Sequence, residues 1–220
     1  MTHRNPKLRE STRGRVFEIV AILFTAAGKF VLGDLLGQNL FYVVFACAFW
    51  IAYVMLRHRG DATVLARWGF NRHGISSGVR MVAPAFVLIV GFIVFGLATG
   101  RSVVTWNTAI LMAVYPVWGT IQQFMLVALF ADNLSALSRE RVSERGAILL
   151  AAIVFALIHL PVLPLVGATF VLGLITTTVF FRTRSLWVPG VFHGWYATIF
   201  YAFVLGEDPL GTFISRAIGL

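Results

Sequence analysis

Long apolar runs alternate with short polar stretches along the whole chain. The runs cover residues 16–36, 40–56, 81–99, 109–130, 147–167, 168–181 and 186–205. A helix needs about 20 residues to cross the ~30 Å of a bilayer's hydrocarbon, and all but the sixth run approach that length. The pattern predicts an all-α polytopic membrane protein of about seven transmembrane helices. Pro161, Pro164 and Gly167 fall at the join between the fifth and sixth runs. That join reads either as a tight hairpin between two helices or as a helix followed by a re-entrant segment at 168–181, whose backbone protein or water must satisfy. Glu18 and Lys29 make the first run the least clean. No low-complexity linker and no clear internal repeat divides the chain, so residues 1–220 read as a single membrane domain.

Composition excludes the competing classes. Hydrophobic residues make up 59% of the 220 and charged residues 12%, against the ~25% charge of a soluble domain. With a mean hydropathy of +0.85, the chain lacks the polar groups that a soluble surface requires. A soluble enzyme, a disordered tail, a disulfide scaffold and a coiled coil are all excluded. Cys47 is the one cysteine, so no intramolecular disulfide forms.

The net charge of +9 is explained by where the charges sit. With the N-terminus cytoplasmic and sides alternating at each span, fifteen of the 18 Lys and Arg fall inside. They are Arg4, Lys7, Arg9, Arg13 and Arg15; Arg57, Arg59, Arg67, Arg72 and Arg80; Arg139, Arg141 and Arg145; and Arg182 and Arg184. Arg101 and Arg216 fall outside, and Lys29 sits within a span. This is the positive-inside bias of a cell-membrane protein, and it puts the C-terminus, after Glu207 and Asp208, on the outer side. The expected partner of these cations is the lipid bilayer. Dispersed over four segments with no stacking surface between them, they do not make a nucleic-acid site. The N-terminal stretch lacks a signal peptide's cleavage pattern and reads as a retained anchor. Segment 57–80 sets Val64, Leu65, Trp68, Phe70 and Ile75 among arginines, the pattern of an amphipathic element in the membrane interface or equally of a plain loop with a snorkelling Trp68. Gly96-x-x-x-Gly100 matches a small-residue packing pattern.

Ionisable and amide side chains within hydrocarbon are costly and therefore candidates for function. They are Glu18, Lys29, Gln122, Gln123, His159 and His193. From the inner ends of their runs, Gln123 and His193 lie roughly 10 Å deep and His159 roughly 18 Å deep at 1.5 Å per residue. All three are then expected in the cytoplasmic half, around one cavity to which Thr176, Thr177 and Thr178 add hydroxyls. Packing or anchoring accounts for Glu18 and Lys29. Two histidines are too few for a zinc site, so neither a metal nor a cofactor is expected.

In order and spacing these residues resemble the CAAX protease and bacteriocin-processing family, also called CPBP or Abi. The second motif of that family, Phe-x-x-x-His, reads here as Phe155-Ala-Leu-Ile-His159. Its third begins at His193, within Ser-Leu-Trp-Val-Pro-Gly-Val-Phe-His-Gly. The resemblance covers residues 109–205, a CPBP-like core. It implies a glutamic-type intramembrane endopeptidase acting from the cytoplasmic side, in which a Glu and the first His activate water while the second His and an Asn stabilise the oxyanion. The departures from the pattern are chemical. The first motif, Glu-Glu-x-x-x-Arg, is Gln122-Gln123-Phe-Met-Leu-Val127, and the Asn position is Ala197. A Gln cannot take up a proton at neutral pH, and loss of an oxyanion donor costs a factor of about 10² to 10³.

The expected function is therefore that of a CPBP-like pseudoenzyme, impaired in hydrolysis, whose cytoplasm-facing Gln/His cavity binds a peptide or membrane-protein partner. The motif positions Gln122, Gln123, His159 and His193 are its candidate site residues. The first alternative is an active intramembrane endopeptidase of altered chemistry, with His159 as base. The second is a small-solute transporter or proton path, suggested by Glu18, Lys29 and the histidines, though no inverted repeat supports it.

Overall fold

A computed structural model describes residues 11–137, 142–208 and 210–211. The described residues form helices and no strand. Six helices are long and apolar enough to cross a membrane: α1 (Thr12–Leu35), α2 (Asn39–Gly60), α3 (Ile75–Thr99), α4 (Trp106–Leu137), α6 (Leu163–Thr183) and α7 (Trp187–Leu205). Between α4 and α6 lies α5 (Glu144–Leu157), a helix of 14 residues. The ends follow local chemistry. Ser11 and Ser143 accept from the backbone N–H of Gly14 and Gly146 at the starts of α1 and α5. Thr105 and Thr108 form a capping box at α4, which satisfies donors that no earlier turn can. Gly100 closes α3 in the left-handed conformation.

Apolar side chains cover the outside as well as the core, as a lipid-embedded chain requires. Phe24 is 80% and Leu35 78% exposed on α1, while Val127, Leu129, Phe180 and Leu186 are fully buried. The two central helices are α4 and α7, which pack along much of their length, while α5 lies along α6.

The join between the fifth and sixth runs differs from expectation. Run 147–167 stops as a helix at Leu157, and run 168–181 belongs to the 21-residue α6, which starts at Leu163. The short element is therefore the fifth, and residues 168–181 lie within a full-length helix. The prolines explain the shift. Proline lacks the N–H that a helix interior uses, yet fits a first turn where no partner exists. Pro164 sits in that first turn, so it opens α6, and of the two expected arrangements the join is the tight hairpin between two helices.

Contacts sort the connections onto two ends. Arg15 Nη1 donates to Asn133 Oδ1 (2.9 Å), Arg184 pairs with both Asp132 oxygens (2.7 and 2.9 Å), and Leu186 N donates to Gly69 O (2.9 Å). These join the start of α1, the α2–α3 connection, the C-terminal part of α4 and the α6–α7 connection at one arginine-rich end. At the opposite end Lys29 meets Asp34 and the Leu160 carbonyl (2.6 and 3.3 Å), Val103 N donates to Ala202 O (2.8 Å), and Asn107 donates to Asp208 (2.7 Å). Arg4, Lys7, Arg9, Arg139, Arg141 and Arg216 lie outside the described residues.

Segment 57–80 turns part of its apolar surface inward. Val64 and Trp68 are buried in the bundle, Trp68 stacks edge-on against Phe124, and Phe70 contacts Phe124 and Trp187. Its apolar side chains thus cover protein where an interface element would cover lipid. Glu18 is fully buried, with the Tyr53 hydroxyl and the Asn133 amide donating to it and Arg57 Nη2 at 4.0 Å. Of the expected Gly96-x-x-x-Gly100 pair, only Gly96 makes a close approach: a Cβ there would lie 2.5 Å from Phe203 O, whereas Gly100 faces open space.

Candidate functional site

Glycines bring the polar residues together. On α7, Gly190 and Gly194 lie one turn apart against α4. A Cβ on Gly190 would stand 2.1 Å from Thr120 Oγ1, one on Gly194 2.5 Å from Pro116 N, and one on Gly119 2.5 Å from Gly190 O. All three distances are well inside van der Waals contact, so the two backbones touch. Small residues permit this approach, and dispersion between the close-packed helices holds it in hydrocarbon.

The consequence is a cross-helix hydrogen bond. Gln123 of α4 and His193 of α7, both buried, meet at 3.0 Å between Nε2 and Nδ1. The amide nitrogen can only donate, so Nδ1 of His193 accepts and its ring proton resides on Nε2. Gln123 Oε1 is buried without a partner.

His159 occupies the turn after α5. Its Nδ1 lies 2.7 Å from the Phe155 carbonyl, one helical turn back, which is the local reason for a Phe-x-x-x-His spacing. A carbonyl accepts only, so His159 carries its proton on Nδ1 and its lone pair on Nε2. The Phe155 ring stands edge-on to both imidazoles, with centroids 5.0 Å from His159 and 5.4 Å from His193. The two histidines thus hold opposite tautomers, one presenting an Nε2–H donor and the other an Nε2 acceptor.

Gln122, His159 and His193 line one cavity of about 30 Å³ between the α4–α7 pair and the α5–α6 pair. Gln123 is not in its lining; it stands behind His193. The wall also includes Tyr115, Thr169, Tyr196, Ala197 and Tyr201. At about 30 Å³ a liquid water is the natural measure of this volume. Ala197 puts a methyl group where the resembled family carries an amide. Val127 is fully buried among apolar neighbours.

Two expectations shift. Threonines 176, 177 and 178 do not line the cavity; Thr176 and Thr178 donate to carbonyls of their own helix at 2.8 and 2.7 Å. Thr169 supplies the hydroxyl in the wall instead. His193 lies about as deep as expected, but the cavity extends further along the helix. His193 lies roughly 9 Å along α7 from Trp187, at the arginine-rich end, while Tyr201 lies roughly 21 Å along it. Leu165, Ala168, Thr169 and Leu172 come from the first half of α6. The cavity therefore runs from the Gln123–His193 pair away from the arginine-rich end. Because α5 ends early, His159 enters from a turn beyond it.

The tyrosines were legible as a pattern. Tyr115 precedes Gln122 by seven residues, and Tyr196 and Ala197 follow His193 by three and four, the spacings of a shared helix face. Tyr196 Oη also donates to the Ala168 carbonyl at 3.0 Å, tying α7 to α6. Glu18 and Lys29 stand apart from this cavity, in the contacts already described.

A family model described as type II CAAX prenyl endopeptidase Rce1-like matches residues 64–199. That stretch contains Gln122, Gln123, His159 and His193. No curated protein and no solved structure matches the chain.

Proposed function

The chain belongs to the Rce1-like family of type II CAAX prenyl endopeptidases, and from that membership we propose a multi-pass membrane protein whose Gln/His cavity, with room for about one water in this conformation, widens to bind a hydrophobic peptide or membrane-protein segment without hydrolysing it. One observation carries this reading: the cavity holds no carboxylate. At the positions where the family motif carries two Glu stand Gln122 and Gln123, and the Gln123 amide is engaged with His193. Without a carboxylate beside His159, only the imidazole itself is left to take the proton that water must lose, and without an amide at residue 197 the oxyanion loses a donor. The arginine-rich end is the cytoplasmic end by charge. The N-terminus is then cytoplasmic and the C-terminus outer, in the cell membrane. Residues 1–220 act as one domain around the core 109–205, with Gln122, His159 and His193 as its binding residues and Gln123 holding His193 from behind.

The tautomers favour one second reading. His159 and His193 line the same cavity, and a neutral imidazole there can take a proton from water near neutral pH. A slow endopeptidase with His159 as general base follows from that arrangement.

The two readings separate in one assay. Purified protein in lipid nanodiscs is incubated with prenylated CAAX peptides and with transmembrane peptides, and products are read by mass spectrometry. The expected result is no cleavage product, for the wild type and for Gln122→Glu and Gln123→Glu alike. Turnover that disappears in His159→Ala would overturn the binding reading and establish the enzyme.

A further inference from the structure

Lys29 of α1 lines no part of the Gln/His cavity, yet it reaches the turn that carries His159. Its Nζ donates to the Leu160 carbonyl at 3.3 Å and pairs with Asp34 Oδ2 at 2.6 Å. The ion pair has a local cause. Residues Lys29–Leu35 form a π-helix, whose i→i+5 repeat sets residues five apart over one another. The ammonium is thus aimed and neutralised from within its own helix. It lies roughly 25 Å along α1 from Thr12, away from the arginine-rich end. A cation left unpaired at such a place is costly.

The Leu160 carbonyl needs a donor from elsewhere. A continuing helix serves each carbonyl with the N–H four residues on. For Leu157 that residue is Pro161, and for Leu160 it is Pro164. Proline has no N–H to give. The Leu157 carbonyl accepts instead from Leu160 N at 3.1 Å, and the Leu160 carbonyl accepts from Lys29. Within a bilayer a carbonyl without a donor is expensive. The C-terminal end of a helix also carries negative partial charge, so an ammonium suits the end of α5.

These bonds bracket His159. Its backbone N–H donates to Ala156 O at 3.0 Å, its carbonyl accepts from Val162 N at 3.2 Å, and its Nδ1 lies 2.7 Å from the Phe155 carbonyl. One side of the imidazole is therefore fixed by α5 and the other by a side chain from α1. That helix precedes the residues 64–199 matched by the family model.

We propose that Lys29 is a positioning residue for His159. By holding the Leu160 carbonyl it fixes the turn, so that Nδ1 stays on the Phe155 carbonyl and the ring stays in the cavity wall. Asp34 orients the ammonium. The proposal rests on His159 being a residue of the functional site, and it is the same whether the cavity binds or hydrolyses.

Nitrogen NMR of labelled histidine tests this on the full chain in lipid nanodiscs with no peptide added. The His159 signals are assigned against a His159→Ala protein. In the wild type they should be well separated, one from a protonated ring nitrogen and one from an unprotonated one. In Lys29→Met they should move toward each other as the ring samples both tautomers, while those of His193 stay in place. Lys29→Arg keeps a donor and should restore the separation. Asp34→Asn should shift the signals less than Lys29→Met, because the ammonium can still reach the carbonyl. Unchanged His159 signals in Lys29→Met overturn the proposal. So does an equal shift at His193, which would report a general loosening of the bundle, and so does a Lys29→Arg protein that shifts as far as Lys29→Met. Lys29→Gln removes charge and reach together and should show the same loss, which keeps the test decisive where Lys29→Met does not fold. A cavity that later binds no peptide would count against the binding reading and leave these signals as they are.

Discussion

Gly190→Ala should separate α4 from α7 and break the Gln123–His193 bond. The added Cβ would stand 2.1 Å from Thr120 Oγ1, 2.6 Å from its Cα and 2.7 Å from its Cβ. Non-bonded carbons rest at about 3.5–4.0 Å, so relieving the contact with Cα requires about 1 Å of separation. No side-chain rotation removes this clash, because the Thr120 backbone takes part in it. The bond between Gln123 Nε2 and His193 Nδ1 is 3.0 Å long, and at about 4 Å it no longer qualifies as a hydrogen bond. Overpacking of this kind costs about 1–3 kcal/mol, and the lost bond adds about 1 kcal/mol.

Equilibrium unfolding in mixed micelles measures the destabilisation, expected at about 2–4 kcal/mol. Nitrogen NMR of labelled histidine reports whether Nδ1 of His193 still accepts. Gly167→Ala is the control, because a Cβ there meets nothing within 4 Å and the residue lies in α6. It should be neutral or stabilising, since alanine is favoured over glycine in a helix by about 1 kcal/mol. A Gly190→Ala protein with wild-type stability and an unchanged His193 signal would refute the backbone-contact argument. Equal losses in both variants would refute it too.

Tyr53→Phe removes a donor from the buried Glu18 carboxylate and should cost about 1.5–3 kcal/mol in the same unfolding assay; in the Glu18→Gln background the cost should shrink, and an undiminished cost would count against that network. Outside the spans, the hydrogen bond from Asn107 holds the Asp208 carboxyl below its usual pKa. A lowered carboxylate pKa stabilises the fold above the unfolded value and loses that contribution as pH falls through the folded value. Carbon NMR titration should therefore place Asp208 below a free aspartate, and Asn107→Ala should bring it back toward the ordinary value.

The chain's membrane character, its helix class and the sorting of its arginines were legible because each rests on many residues at once. A run of apolar residues reports burial in lipid whatever its neighbours do. The elements misjudged depend on single residues. Pro164 was read as a break, yet in a first turn it starts a helix. Trp68 was given to the interface, but α4 supplies Phe124 to cover it, and contacts between distant segments leave no local trace. The site divides in the same way. His159 and His193 were recognisable from motif spacing, and the Phe155 carbonyl now gives that spacing a cause. Gly119, Gly190 and Gly194 went unnoticed although Gly190-x-x-x-Gly194 repeats the pattern picked out at Gly96 and Gly100. A small residue tells only that something approaches closely. Which of two such pairs is used depends on the partner helix.

Gln122, Gln123 and Val127 are uncharged together, and on the proposed binding reading one reverse substitution is expected to bring no hydrolysis. Gln123 donates to His193 Nδ1 and thereby keeps the proton on Nε2, toward the cavity. A Glu at that position only accepts, so Nδ1 would have to carry a proton. His193 would then either become an imidazolium or move its single proton away from the cavity. In the second state the donor opposite His159 is lost. In the first, two opposite charges stand buried, and the position of the family motif's Arg holds the fully buried, apolar Val127. Buried ions without a full set of partners are strongly destabilising. Gln122, Gln123 and Val127 are therefore mutually consistent with one another and with the tautomer that the geometry selects. Gln123 and His193 stand as a neutral donor–acceptor pair, with the oxygen of that amide left unpaired.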